Sequence, residues 1–120
     1  MADDKKTILV VDDEQDMLTY FGTLLEDHGY GVVTAKDGKE ALETARREKP
    51  DLVILDLMMP NETGTDFYRK LSRDKELGHT PIIVVSGLAG RKLAVKDPVA
   101  VFDKPVDRDK FIAAVEKALS

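Results

Sequence analysis

Short apolar runs alternate along the chain with longer stretches in which apolar residues recur at helical spacing. The short runs are rich in β-branched residues, and three of them are almost wholly apolar, as strands covered on both faces must be. Because a helical stretch follows each run, the strands are expected to be parallel, as in βαβ units. The five predicted strands are Thr7–Val11, Gly31–Ala35, Leu52–Leu55, Pro81–Val85 and Ala100–Phe102.

Four longer stretches have the apolar spacing of helices that pack on a sheet. The first ends before Gly29, at a position where a left-handed helix cap usually needs glycine. The second must end near Lys49, because Pro50 disfavours helical geometry in the residue before it. The defining positions are Met17, Leu18, Phe21, Leu24, Leu25 and His28; Ala41, Leu42 and Ala45; Phe67, Tyr68 and Leu71; and Phe111, Ile112, Val115, Ala118 and Leu119.

The segment between the fourth and fifth strands is shorter than the other connections. Only Gly87 to Asp97 is available, the segment contains Gly90, and Pro98 ends it, so about two helical turns fit at most. The predicted fold is therefore α/β: a flavodoxin-like, doubly wound, five-stranded parallel sheet in the order 2-1-3-4-5. Helices cover both faces, and the helix between the last two strands is expected to be short or irregular.

Composition narrows the class of protein further. The 120 residues suit a single domain over 1–120, and the net charge of −5 argues against direct binding of nucleic acid. No apolar run reaches the roughly 18 residues of a membrane span, and no signal peptide is recognisable, so a cytoplasmic location is expected. The absence of cysteine excludes disulfides, thiolate metal sites and cysteine nucleophiles.

Polar residues follow the apolar runs at the edge where open parallel sheets bind ligands. They are Asp12, Asp13, Asp56, Ser86 and Lys104. Three neighbouring carboxylates would repel one another and need a cation, and an all-oxygen set of this size suits Mg²⁺ better than Ca²⁺. A carboxylate beside Mg²⁺, a lysine and a hydroxyl can also act as the nucleophile of phosphoryl transfer, and Asp56 is the candidate.

Four short motifs in this order resemble the receiver domains of bacterial two-component response regulators over essentially the whole chain. They are Val10–Val11–Asp12–Asp13–Glu14, Asp56–Leu57–Met58–Met59–Pro60 with Gly64, Ser86–Gly87, and Lys104–Pro105. The resemblance implies that Asp56 accepts a phosphoryl group from a histidine kinase or histidine phosphotransfer protein. It further implies that Asp12, Asp13, Asp56 and the carbonyl of Met58 hold Mg²⁺.

In the same family, Lys104 would pair with the phosphoryl oxygens, Ser86 would hydrogen-bond them, and the Lys104–Pro105 bond would commonly be cis. Such a domain is not an enzyme acting on an outside substrate. It catalyses its own phosphorylation and dephosphorylation, and it signals through an unknown downstream protein, as a monomer or a phosphorylation-dependent dimer. No membrane contact and no bound organic cofactor is expected.

Two positions depart from the family pattern. The aromatic switch residue expected three positions before the lysine is Val101 here, while Phe102 is one residue later and should point to the opposite face. The interval from Ser86 to Lys104 is also shorter than usual. We therefore expect phosphorylation to be retained with an altered readout, through ordering of the segment Gly87–Asp97.

Other functions remain to be weighed against this one. The chain could be a pseudo-receiver that binds proteins constitutively, although all five chemical residues are present. An aspartate-nucleophile phosphatase would have a second Asp where Met58 stands, and a flavin-binding protein would have a phosphate-binding loop after the first strand. Asp12 or Asp13 could also simply cap the first helix, and His28 and His79 are not expected to be ligands.

Overall fold

The computed structural model describes residues 5–57, 63–86 and 98–120, without the side chains of Thr63 and Ser86. Five parallel strands form one sheet in the order β2-β1-β3-β4-β5, which confirms the predicted topology. The strands are β1 (Thr7–Val11), β2 (Gly31–Ala35), β3 (Leu52–Asp56), β4 (Ile82–Ser86) and β5 (Ala100–Asp103). The described helices are α1 (Gln15–Asp27), α2 (Gly38–Glu48), α3 (Thr63–Arg73) and α4 (Arg108–Leu119).

The last three strands extend one residue beyond their predicted ends. Asp56 pairs with Val85, and Ser86 pairs with Asp103, so the backbone ladder continues through residues whose side chains are polar. The fourth strand also begins at Ile82 rather than at Pro81, which has no N–H to donate to a ladder. Asp56 and Ser86, predicted to follow their strands, are therefore the last residues of β3 and β4, whereas Lys104 does follow β5.

The central strands are apolar throughout because the sheet has a hydrophobic core on each face. Alternate residues of β1 point to opposite sides: Ile8 and Val10 pack with α1 and α4, whereas Leu9 and Val11 pack with α2 and α3. The same alternation runs through β3 and β4. This explains why consecutive residues of these strands are apolar, whereas a strand with one face in water would alternate apolar and polar residues.

Local backbone signals set the helix ends. Gly29 has φ +90°, which confirms the predicted left-handed residue after α1. After α2, Lys49 adopts φ +48° and donates its N–H to the carbonyl of Ala45, so the helix ends as predicted before Pro50. At the start of α2, the N-cap residue Asp37 accepts the N–H of Glu40, and the Glu40 side chain accepts the N–H of Lys36, the residue before the cap, so both side chains fix the entry into the helix.

The predicted short helix between β4 and β5 falls on residues 87–97, which lie outside the described part of the chain. None of the helices in the described ranges is long and apolar enough to cross a membrane.

Candidate functional site

Two carboxylates lie side by side where β1 and β3 end. Val11 of β1 is the register partner of Leu55 in β3, so the next residues, Asp12 and Asp56, emerge together at the carboxyl edge of the sheet. Both are buried, with exposed fractions of 1% and 3%. The N–H of Asp12 donates to the carbonyl of Ala35 at 3.1 Å, which ties the residue to the end of β2 as well.

Asp13 completes a group of three acids. One carboxylate oxygen from each of Asp12, Asp13 and Asp56 lies within 4.8 Å of the others, and Asp13 is exposed while its two neighbours are buried. The sequence prediction that these three side chains converge is confirmed. Three hard oxygen donors from a single edge, open to solvent on one side, fit a divalent cation such as Mg²⁺ that retains water ligands.

Helix capping does not account for the two acids. The N-cap residue of α1 is Glu14, and it makes no side-chain hydrogen bond to the helix. Instead, Asp12 Oδ1 accepts the N–H of Glu14 itself at 3.0 Å. The second oxygen of Asp12 points toward the site, so this carboxylate both fixes the turn into α1 and contributes charge to the acidic cluster.

The ammonium of Lys104 lies among the carboxylates. Its Nζ donates to Asp12 Oδ2 at 3.1 Å, to Asp56 Oδ2 at 3.3 Å and to Glu14 Oε1 at 3.4 Å. Lys104 follows the last residue of β5, and its bond to Pro105 is cis, as the sequence resemblance implies. The topology thus brings Lys104 into contact with Asp12, which lies 92 positions away in the chain, and with Asp56, which lies 48 positions away.

Burial and neighbouring charges shift the pKa values of Asp12 and Lys104. Burial raises the pKa of Asp12 above its ordinary value of 3.8, and the neighbouring Asp56 raises it further, while the Glu14 N–H and Lys104 act in the opposite direction. For Lys104, burial alone would lower the pKa, but hydrogen bonding to Asp12 and the charges of Asp56 and Asp12 outweigh it and the pKa is raised. The ammonium therefore stays charged at neutral pH.

Of the other two predicted site residues, Ser86 is described through its backbone only and Met58 is not described. Ser86 is the last residue of β4 and pairs through its backbone with Asp103, which places it at the same edge as Asp56, its side chain being outside the description. Met58, whose carbonyl was predicted to bind the metal, lies outside the described residues. In the described part of the chain, the group of acids that could hold a metal consists of Asp12, Asp13 and Asp56.

The two residues of β5 near the lysine point to opposite faces, as predicted. Val101 is 43% exposed. Phe102 packs in the core shared by α1 and α4, with its ring centroid 5.9 Å from that of Phe111. The aromatic side chain of β5 is therefore held in a core, and the position expected to hold a mobile aromatic residue carries a small exposed one.

Sequence reasoning missed a role for Glu14. The residue stands third in the acidic run Asp12–Asp13–Glu14, and its contact with Lys104 was not expected. The only sequence signal was the third consecutive acid at the strand end. An exposed glutamate at a helix start is common for dipole reasons alone, so that signal was weak.

The chain is similar to known proteins along most of its length. The family model "Response regulator receiver domain" matches residues 8–116. Protein Rrf1 of Nitratidesulfovibrio vulgaris is 34% identical over 113 residues, which cover 94% of this chain and 82% of Rrf1. The polar-differentiation response regulator DivK of Brucella anthropi is 30% identical over 118 residues, covering 95% of this chain and 96% of DivK.

Solved structures give the same picture at the level of the backbone. The chemotaxis response regulator CheY4 of Vibrio cholerae superposes with a TM-score of 0.87 at 28% identity, covering 96% of this chain and 99% of CheY4. A response regulator receiver domain protein from Clostridium thermocellum superposes with a TM-score of 0.83 at 31% identity, covering 95% and 94% of the two chains.

Proposed function

The chain belongs to the response regulator receiver family of two-component systems, and from that premise we propose that it is a switch controlled by phosphorylation of Asp56. The observation that carries the proposal is the contact of Lys104 with both Asp12 and Asp56 beside the exposed Asp13. A nucleophile, a fixed cation and an acidic group for a divalent metal are thus within contact distance of one another. These are the components that phosphoryl transfer to a carboxylate requires.

The transfer itself needs little covalent chemistry from the chain. An oxygen of Asp56 attacks phosphorus, and the bond between phosphorus and the donor nitrogen of a phosphohistidine breaks with its electron pair passing to that nitrogen. The products are an aspartyl phosphate on this chain and a free histidine on the donor. Lys104 donates to the phosphoryl oxygens as negative charge collects on them, and Ser86, from the end of β4, is proposed to add a second hydrogen bond.

Asp12, Asp13 and Asp56, with the carbonyl of Met58, are the residues proposed to hold Mg²⁺. When bound, the metal neutralises charge on the phosphoryl oxygens and on the clustered acids. The burial of Asp12 and Asp56 beside Asp13 favours such a site, because three clustered acids carry more negative charge than the ammonium of Lys104 alone can balance. The protein positions these oxygens in advance through β1 and β3.

The proposed partners are a histidine kinase or a histidine phosphotransfer protein upstream and another protein downstream, in the cytoplasm. With a net charge of −5, direct contact with nucleic acid is not part of the proposal. We propose that the chain catalyses its own phosphorylation and dephosphorylation and turns over no outside substrate.

Intact mass measures the proposed chemistry directly. The protein is incubated with acetyl phosphate, with and without Mg²⁺, beside Asp56→Asn, which keeps the shape of the side chain but is a far weaker nucleophile. The expected result is one added phosphoryl group that requires both Mg²⁺ and Asp56. The matched control is Asp51→Asn, an exposed acid just before β3, which should be phosphorylated like the parent.

Absence of the adduct under all these conditions, together with absence of Mg²⁺ binding and of a beryllofluoride complex, would overturn the proposal. That outcome would favour the pseudo-receiver, a module that binds its partners without phosphorylation.

A further inference from the structure

Glu14 occupies a fixed position beside the site, although its side chain is exposed. Its N–H donates to Asp12 Oδ1 at 3.0 Å, and its carbonyl accepts the N–H groups of Met17 and Leu18 at 3.0 and 3.1 Å. The backbone is therefore held from both directions, by the acidic cluster and by the first turn of α1. From this base the carboxylate reaches Lys104 Nζ at 3.4 Å.

The three carboxylates that contact Lys104 are not equivalent. Asp12 and Asp56 belong to the group of oxygens that could hold a metal, and their side chains are 2% and 3% exposed. Glu14 lies outside that group, and its side chain is 63% exposed. The ammonium of Lys104 can therefore pair with Glu14 without competing for the carboxylate oxygens that a metal would bind.

A divalent cation among Asp12, Asp13 and Asp56 would repel the ammonium of Lys104, which contacts two of these residues directly. Lys104 would then need an anionic partner on the solvent side until a phosphoryl group arrives. We propose that Glu14 is a positioning residue that holds Lys104 at the exposed side of the site, so that a bound cation and the ammonium occupy it together.

This inference rests on the proposed function, since it requires a divalent site at the acidic cluster. The alternative explanation is that the negative charge of Glu14 attracts the cation directly, wherever Lys104 lies. Two variants separate these explanations. Glu14→Asp keeps the charge but shortens the side chain by one methylene, whereas Glu14→Gln keeps the length but removes the charge.

The experiment measures the Mg²⁺ dissociation constant of the phosphate-free protein by isothermal titration calorimetry. For Glu14→Gln and for Glu14→Asp we expect the constant to rise about two- to fivefold, the effect of one partly exposed ion pair. Asp16→Asn, an exposed acid in the first turn of α1, is the matched control and should change it less than about twofold.

A double-mutant cycle with Lys104→Met gives the decisive comparison. If Glu14 acts through the lysine, the effect of Glu14→Gln should largely disappear when Lys104 is absent. The thermal midpoint of each metal-free variant shows that it is folded before it is titrated.

An unchanged affinity in Glu14→Asp, with the full effect of Glu14→Gln persisting in the Lys104→Met background, would overturn the inference and leave only a charge effect. Equal affinity in all Glu14 variants would also overturn it while leaving the metal site intact. If the parent protein bound no Mg²⁺ at all, the proposed function would fail first, and the inference would fail with it.

Discussion

β1 and β3 each combine an apolar interior with a charged end. From Ile8 to Val11 and from Leu52 to Leu55 every side chain is apolar and at most 1% exposed, whereas the next residue in each case is a buried aspartate. Apolar side chains gain stability by leaving water, but burial raises the pKa of Asp12, so its charge is unfavourable in the fold. The apolar residues of β1 therefore stabilise the fold, whereas the charge of Asp12 that directly follows them destabilises it.

Among these substitutions, Leu55→Ala should change the free energy of unfolding most. Leu55 is fully buried in the core against α2 and α3, one residue before Asp56. Removing its side chain leaves a cavity, and we expect the free energy of unfolding to fall by about 2–5 kcal/mol, measured by urea denaturation. Val101→Ala, on the exposed side of β5, is the control and should change it by less than about 0.5 kcal/mol. A loss as small as that of the control would show that the strand interior is not the stabilising part.

Asp12→Asn should change the free energy of unfolding in the opposite direction and stabilise the fold. The amide removes a buried charge that faces Asp56, and its oxygen can still accept the N–H of Glu14. In the absence of divalent metal at pH 7 we expect an increase in the free energy of unfolding of about 1–2 kcal/mol, less than the full repulsion because Lys104 loses part of an ion pair. A decrease would mean that the pair with Lys104 outweighs the repulsion from Asp56.

The pH dependence of the Asp12→Asn effect sharpens the test. The pKa of Asp12 is higher in the folded protein than its ordinary value of 3.8. The native state therefore binds the proton more tightly than the unfolded chain, and the stability contributed by Asp12 is present below pH 3.8 and lost as the pH rises through the folded pKa. Urea midpoints of the two proteins should converge toward pH 3.8 and separate above it. A difference that does not vary with pH would exclude titration of Asp12 as its cause.

Asp107→Ala compares an exposed carboxylate before a helix with the buried carboxylate of Asp12, which lies before α1. Asp107 is exposed, and its side chain accepts the N–H of Lys110 at 3.0 Å at the start of α4. Loss of this cap should lower the free energy of unfolding by about 1 kcal/mol in the same urea experiment. Asp109→Ala, in the first turn of the same helix, should have a smaller effect, because the Asp109 carboxylate pairs with Arg108 at 3.8 Å and an ion pair this exposed contributes little. Equal losses would point to the helix dipole rather than to the cap.

The sequence predicted the acidic edge for the same reason that it predicted the strands. A run such as Leu52 to Leu55 is recognisable by its hydrophobicity, and the first polar residue after it must lie at the carboxyl edge of a parallel sheet. The exact end of each strand was less predictable, because backbone pairing continues through Asp56 and Ser86 whatever their side chains are. The hydrophobicity of a residue indicates whether its side chain is buried, but it does not indicate whether its backbone is hydrogen-bonded to a neighbouring strand.

The contact between Glu14 and Lys104 could not be predicted in this way. The two residues are 90 positions apart, and the direction of a long exposed side chain depends on a partner delivered by another strand. The opposite orientation of Val101 and Phe102, by contrast, follows from strand alternation alone, and the structure confirms it.

The register between β1 and β3 has a consequence for how such a domain can diverge. The pairing of Val11 with Leu55 makes the spacing of Asp12 and Asp56 a property of two neighbouring backbones, roughly 4.8 Å apart in any sheet. Core side chains can be exchanged for others of similar volume without moving these oxygens. A residue inserted between Val11 and Asp12, or between Leu55 and Asp56, would instead displace one acid relative to the other, so the site depends more on where the two strands end than on the composition of the core.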